Sequence, residues 1–410
     1  MRWWIVALVS LGTIVNYLSR NTLGILAPVL KTDLGLTTEQ YSYVVGAFQL
    51  AYTIMQPVCG FVLDTLGLRF GFALFAVLWS AASCAHVLAG GWMALAAFRG
   101  WLGLTEAAAI PAGVKACAEW FPAKQRSIGV GFINVGTSLG AMLAPPLVVY
   151  LNLHFGWRNA FLVTGGVGFL FAVLWWSCYR PPNKHPWARD DERAMIEVGR
   201  APPVSAKPAL GQILRNRRFW GIALPRFLFE PAWQTFTFWI PLYLTTVRGM
   251  KLEEMAMFAW MPFLAADLGS VCGGFISPFF MRVFGTGLVN SRLMGIVTGA
   301  LLMIGPGCIG LAADGPTAVL LFCVGGFAHQ MISGLINTLA TDNFGSHEVA
   351  TVAGLAGTAA WTAGLGFSLV VGALADTVGY NPLFVCLSVF DLVGAAAAII
   401  LLREPRSSTP

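Results

Sequence analysis

Charge is scarce in this 410-residue chain: Asp, Glu, Lys and Arg make up 11% of it, against about a quarter in ordinary soluble domains. That shortage argues against a water-exposed globule. The eight cysteines are scattered singly and never form a CxxC pair, so neither a disulfide framework nor a metal site is expected, and they read as small apolar packing residues. HExxH and His-rich runs are also missing. An enzyme of the membrane would need such a cluster, so no enzyme and no cofactor is expected. In place of charge the chain has 57% hydrophobic residues, with 15 Trp and 29 Phe, which suits lipid-facing and interfacial surface.

Apolar stretches of about 20 residues, enough to cross a hydrocarbon core about 30 Å thick, predict an all-α membrane protein with twelve spans. They fall near residues 3–30, 41–63, 70–89, 92–118, 127–151, 160–179, 219–245, 252–281, 288–312, 317–341, 349–375 and 382–402. Cytoplasmic loops retain Lys and Arg during insertion. With both termini inside, only Lys31, Arg158, Arg248 and Lys251 of the 25 basic residues fall outside, and Arg20, Arg99 and Arg226 lie within spans. The net charge of +6 is thus a topology signal, and nucleic acid is not an expected partner. The longest hydrophilic interruption, 180–218, contains PPNKHPW and DDERAMIEVGR. It separates an N-terminal six-helix bundle, 1–179, from a C-terminal one, 219–410, as a cytoplasmic linker. The first apolar run is too long for a cleavable leader.

A charge inside a span costs several kcal/mol unless it is paired or used. Arg20 and Glu106 are therefore the leading functional candidates. Arg99 and Glu106 are seven residues apart on one helix face, about 10 Å along the axis, too far to neutralise each other. Each needs a partner on another helix. Gly100, Gly103, Ala107, Gly129, Gly136 and Gly140 would allow helices to approach closely. Snorkelling for Arg20, and a buried hydrogen-bonded acid for Glu106, are the plainer alternatives.

Between spans 2 and 3, GFVLDTLGLRFG places Asp64 at a helix C-terminus, where the dipole disfavours a carboxylate. It should seek arginine or helix N-terminal partners from the opposite bundle, a gating latch with Arg69; an ordinary glycine turn is the other reading. In the second half, Arg226 and Glu230 are four apart and can pair on one face, and Pro225 and Pro231 are expected to break the helix around them. Asp267 is a further titrating group or a partner for Arg226. His329, Gln330 and Asn337 could bond sugar hydroxyls, and Thr358 and Trp361 could bond or stack; ordinary packing explains these residues too. Asn134 and Thr137 are placed close to the first-half charges by Gly136 and Gly140.

Six plus six spans and the loop signature suit the major facilitator architecture. The stretches FRGWLGLTEAAAIPAGVKACAEWFPAKQRSIGVGFINVGTSLGAMLAPPLV, NYLSRNTLGILAP, QYSYVVGAFQLAYTIMQPVCGFVLD, GQILRNRRFWGIALPRFLFEPAW and MFAWMPFLAADLG resemble bacterial hexuronate transporters, in the anion:cation symporter branch of the major facilitator superfamily. The resemblance covers nearly the whole chain. It implies proton-coupled uptake of galacturonate and glucuronate across the bacterial inner membrane by a carrier in the lipid bilayer, expected to be a monomer. It implies that Arg20 holds the substrate carboxylate, that Tyr52 lines the site, that Glu106 is protonated and that Arg99 supports coupling. A symporter for another organic anion, an aldonate, aldarate or aromatic carboxylate, is the alternative.

Many members of that branch carry Asp-Arg in span 1, whereas this chain has Ser19-Arg20. A second proton-carrying acid is thus missing there, and one proton with one monoanion would move no net charge. The residues themselves suggest the coupling: ionised Glu106 neutralises Arg20 in the empty carrier, and its protonation frees Arg20 for the hexuronate.

Overall fold

The computed structural model describes residues 1–197, 209–250, 258 and 260–402, all helix, turn or loop. Part of the 180–218 linker, 198–208, lies outside the described residues. Six long spans precede it: α1 (Arg2–Asp33), α2 (Thr38–Leu66), α3 (Leu68–Ala85), α4 (Trp92–Glu106) continued by α5 (Ala109–Trp120), α6 (Arg126–Phe155) and α7 (Trp157–Cys178). Two short helices, α8 (Asp190–Glu197) and α9 (Leu210–Arg215), lie in the linker region. Beyond them come α10 (Arg217–Thr246), α11 (Met261–Phe284), α12 (Leu288–Leu302) with the short α13 (Ile304–Gly307), α14 (Gly315–Asn343), α15 (Val349–Val378) and α16 (Tyr380–Leu402).

Among the described residues nine of these segments are long and apolar enough to cross a membrane. The first and seventh spans, which carry Arg20 and then Arg226 and Glu230, are not among them, and neither is the fourth, whose helix is broken into segments of 15 and 12 residues. Large apolar side chains face outward along the others, for example Leu170, Val173 and Trp176 of α7, the inverse of a water-soluble surface.

Two local features differ from what the sequence predicts. The fourth span is split at Ala107–Ala108, because Pro111 lacks the N–H that would bond the Ala107 carbonyl, while Ala112 bonds Ala108 at 2.9 Å. Conversely, α10 runs unbroken through Pro225 and Pro231; packing holds its axis although each ring removes one backbone bond.

The helices form two compact units. Unit 1 comprises Met1–Pro122, Ile133–Pro208 and Gly345–Leu355; unit 2 comprises Ala123–Phe132, Ala209–Phe344 and Ala356–Pro410. In unit 1, α2 packs on α4 and α3 on α7. A Cβ at Gly103 would come within 2.5 Å of the Phe48 carbonyl, and one at Gly140 within 2.6 Å of the Ile14 carbonyl, so both glycines are required by close helix approach. Gly100 faces open space and has no such role. Unit 2 is held by α11 against α14 and α10 against α16, with Tyr243, Phe322 and Phe384 in edge contact in its core.

Candidate functional site

Unit 1 contains a charged centre inside an apolar bundle. Arg20 on α1 donates from Nε to Glu106 Oε2 at 3.0 Å and from Nη2 to Asn16 Oδ1 at 3.2 Å. Its guanidinium lies 4.5 Å from the ring centres of both Tyr17 and Tyr52, 5.4 Å from that of Phe48, and it also bonds the Tyr52 hydroxyl. Arginine suits such a place because its plane can stack while its edge donates. Glu106 is fully buried at the C-terminus of α4, next to the break before α5. Its Oε1 accepts no hydrogen bond, and Asn16 Nδ2 and Arg99 Nε donate none. Arg99 donates from Nη2 to the Arg20 carbonyl at 3.0 Å. It therefore supports the backbone of the residue that Glu106 neutralises.

The structure thus brings together Arg20, Tyr52, Glu106 and Arg99. Asn134 and Thr137 are buried on α6, with the Thr137 hydroxyl donating to the Asn134 carbonyl at 2.7 Å. Their helix packs on α1 at Gly136 and Gly140, and Asn134 Nδ2 carries no hydrogen bond. Asn16 was not a candidate from sequence. The signal was its position one helical turn before Arg20.

A second set in unit 1 surrounds Asp64. Its carboxylate accepts from Lys115 Nζ at 2.6 Å, from Thr351 N and Oγ1 at 2.7 Å each, and from Ala350 N at 3.4 Å. The partners are the first-turn donors of α15, where a carboxylate is favoured by unpaired N–H groups and the dipole. Lys115 also donates to the Ser346 carbonyl at 2.9 Å. The turn before α3 needs glycine at residue 67, whose φ is +80°. Arg69 is not brought to Asp64: its Nε and Nη2 donate to the Trp176 carbonyl at 3.0 and 2.8 Å, and it stacks 4.6 Å over that ring. Arg69 caps the end of α7. Lys115, missed from sequence, occupies the basic position beside Asp64.

Asp64→Asn is expected to destabilise the protein by roughly 3 kcal/mol, because it removes the 2.6 Å countercharge of the enclosed Lys115 and leaves it only Glu119 at 4.0 Å. Thermal unfolding in detergent should show a drop of several degrees, partly restored in Asp64→Asn/Lys115→Gln. An unchanged midpoint would mean that the clasp contributes nothing.

In unit 2, Arg226 donates from Nη1 to Asn337 Oδ1 at 2.7 Å, and its Nη2 lies 3.8 Å from Glu230 Oε2. Gln234 lies one helical turn beyond Glu230, beside its carboxylate. His329 stacks on Trp233 with centroids 5.4 Å apart and planes at 15°. Gln330 is buried on α14, Asp267 is buried on α11, and Thr358 and Trp361 are half-buried on α15. Arg226 takes its partners from Asn337 and Glu230. Trp233 and Gln234 were not singled out from sequence, although they lie three and four residues beyond Glu230, on its face.

Another group missed from sequence is the fully buried Arg292. It donates to Asp342 Oδ2 at 3.2 Å, Ser127 Oγ at 3.1 Å, Ser277 Oγ at 2.5 Å and the Ala123 carbonyl at 2.8 Å. Arg126 lies 3.5 Å from the same aspartate. This network ties the start of α6 to α11, α12 and α14. Among the described residues no group of His, Cys, Asp and Glu could hold a metal ion.

The Major Facilitator Superfamily model matches residues 9–366. The chain is 53% identical over 408 residues to the hexuronate transporter of Escherichia coli K12, covering 98% of this chain and 94% of that protein. It is 49% identical over 315 residues to the galacturonate transporter of Dickeya chrysanthemi, covering 76% and 91%. Among solved structures, a proton:xylose symporter bound to 6-bromo-6-deoxy-D-glucose superposes with a TM-score of 0.74 at 16% identity, over 98% of this chain and 96% of that one. At that identity the likeness concerns the fold alone.

Proposed function

As a member of the Major Facilitator Superfamily, the chain is a multi-pass membrane transporter, and we propose that it imports hexuronates with protons across the bacterial inner membrane by alternating access. Galacturonate and glucuronate are the proposed substrates, and a cytoplasmic location of both termini is part of the same proposal. The similarity to proteins named hexuronate and galacturonate transporters supports the substrate. The observation that carries the coupling is the 3.0 Å pair of Arg20 and Glu106.

A hexuronate offers one carboxylate and several hydroxyls. Arg20, stacked by Tyr17 and Tyr52, is the anchor for the carboxylate, since a guanidinium can donate two parallel bonds to it. In the empty carrier that capacity is partly taken by Glu106. Protonation of Glu106 removes the competing charge, and the incoming anion replaces it. Anion without proton would leave two carboxylates facing one arginine; proton without anion would leave the arginine unneutralised. Each ligand therefore favours the other, which is the thermodynamic content of symport. Asn16 keeps hold of Nη2 during the exchange, and Arg99 steadies the Arg20 carbonyl. Asn134 and Thr137 in unit 1, and Tyr52, are proposed to meet the sugar. Within unit 2, His329, Gln330, Thr358 and Trp361 are proposed as groups able to bond or stack on a sugar. The Asp64 clasp on the start of α15 is the proposed gate.

Uptake of labelled galacturonate into proteoliposomes under an inward proton gradient tests this. Accumulation that collapses with a protonophore is expected. Folded protein that takes up no galacturonate would overturn the substrate assignment and direct the assay to aldonates.

A further inference from the structure

Unit 2 repeats the chemistry of the unit 1 centre with different residues. Arg226 stands to Glu230 and Asn337 as Arg20 stands to Glu106 and Asn16: one arginine, one glutamate and one asparagine whose Oδ1 accepts from the guanidinium. We propose that Glu230 is a second proton-carrying site, so that two protons accompany each hexuronate. This inference rests on the hexuronate:proton reading above. It replaces the electroneutral expectation drawn from Ser19.

An acid that exchanges protons must be satisfied in both charge states, and Glu230 is. When ionised, it faces Arg226 at 3.8 Å, with the Gln234 side chain beside it. When protonated, its O–H can donate to the same side chain, because Gln carries an acceptor oxygen beside its donor nitrogen. Arg226 does not depend on Glu230 for its hydrogen bond. Its short contact, 2.7 Å, goes to Asn337, whereas the carboxylate lies at 3.8 Å, beyond hydrogen-bond length. Loss of the negative charge thus breaks no hydrogen bond of Arg226, whose Nε is buried without a partner already. The Glu230 side chain is 13% exposed and so is not fully enclosed.

The neighbours define the site. On α10, Arg226 and Gln234 flank Glu230. From α14 come Asn337, bonded to Arg226, and His329, stacked on Trp233. From α15 comes Gly364, where a Cβ would lie 3.4 Å from Glu230 Cγ. The carboxylic acid on α16, the helix packed on α10, is Asp391, which is fully buried with neither oxygen hydrogen-bonded. Asp391 has no donor to receive its carboxylate form, so it is the less suitable carrier.

The charge balance is simple. One proton binds Glu106 and one Glu230 from the outer solution; with a monoanionic hexuronate they move one net positive charge inward, and both protons are released inside. One net charge at 100 mV corresponds to about 50-fold accumulation at equilibrium.

The test is galacturonate uptake into proteoliposomes at equal pH on both sides, driven by a valinomycin-set potassium potential, inside negative. Wild type should accumulate toward that limit. Glu230→Gln should lose voltage-driven accumulation yet still accumulate under a pH gradient, and Glu230→Asp should retain both. Arg226→Gln/Glu230→Gln, which leaves no unmatched charge, guards against misfolding of the single variant and should behave as Glu230→Gln. Wild type driven by the pH gradient but indifferent to voltage overturns this inference and leaves the hexuronate reading intact. Voltage-driven accumulation that survives in both neutral variants overturns it too, since the second proton then binds elsewhere. Wild type inert under both driving forces overturns the hexuronate reading itself.

Discussion

Arg20→Ala will abolish measurable galacturonate binding, with the apparent affinity falling on the order of 100-fold or more. Truncating one partner of a buried charge pair costs about 2–5 kcal/mol, or roughly 30-fold to several thousand-fold in a binding constant. The loss should sit toward the upper part of that range, because Arg20 supplies both the countercharge and the donor edge, and Asn16 and the tyrosines cannot replace a cation. Arg20→Lys should recover only part. Lysine keeps the charge, but it loses the planar fork and the stacking at 4.5 Å on Tyr17 and Tyr52. Because Arg20→Ala leaves Glu106 without its countercharge, folding must be checked separately. Arg20→Ala/Glu106→Gln should regain thermal stability without regaining substrate. Titration calorimetry on the detergent-solubilised variants distinguishes the cases, and wild-type affinity in Arg20→Ala would remove Arg20 from the anchor role.

The membrane setting and the helical class were legible in the sequence because lipid imposes them on composition: charge is expelled and apolar runs reach the length of a span. The same constraint made Arg20 and Glu106 visible, since a charge in such a run is conspicuous, whereas Asp64 stood out through the loop string GFVLDTLGLRFG. What composition could not supply was the pairing. Arg20 and Glu106 are 86 residues apart and Asp64 and Thr351 are 287 apart; nothing local in the chain announces contacts set by tertiary packing. Asn16 escaped because a neutral amide in an apolar helix is a weak signal, although its spacing from Arg20 was available. Lys115 and Arg292 escaped for a different reason. Both lie near span ends, where basic residues are expected as topology anchors, and only the fold shows them enclosed. The break at Ala107–Ala108 was readable in principle from Pro111, whereas the continuity of α10 through Pro225 and Pro231 was not, because proline lowers helix stability without deciding the path of a helix held by its neighbours.

Those buried pairings decide how the second large effect should look. Glu106→Gln keeps the shape and the donor and acceptor atoms of the protonated acid while removing its titration. The variant should therefore bind galacturonate and exchange labelled for unlabelled substrate at rates near wild type, yet fail to use the proton on Glu106 to concentrate it. With one proton per anion, a one-unit pH difference supports about 10-fold accumulation, since one unit is about 1.36 kcal/mol. The proton carried by Glu106 contributes that factor to the wild-type ratio, and the variant should lose it. The pH profile supplies an independent sign. In the wild type, alkalinisation ionises Glu106, restores its 3.0 Å bond to Arg20 and weakens substrate binding; in Glu106→Gln the Arg20 guanidinium has no such competitor, so affinity should stay flat across the range where the wild type declines. Substrate affinity measured from pH 5 to pH 9 on both proteins is decisive: parallel declines would mean that the coupling proton binds a group other than Glu106, whereas a flat variant beside a declining wild type fixes the proton and the anion on the two ends of one ion pair.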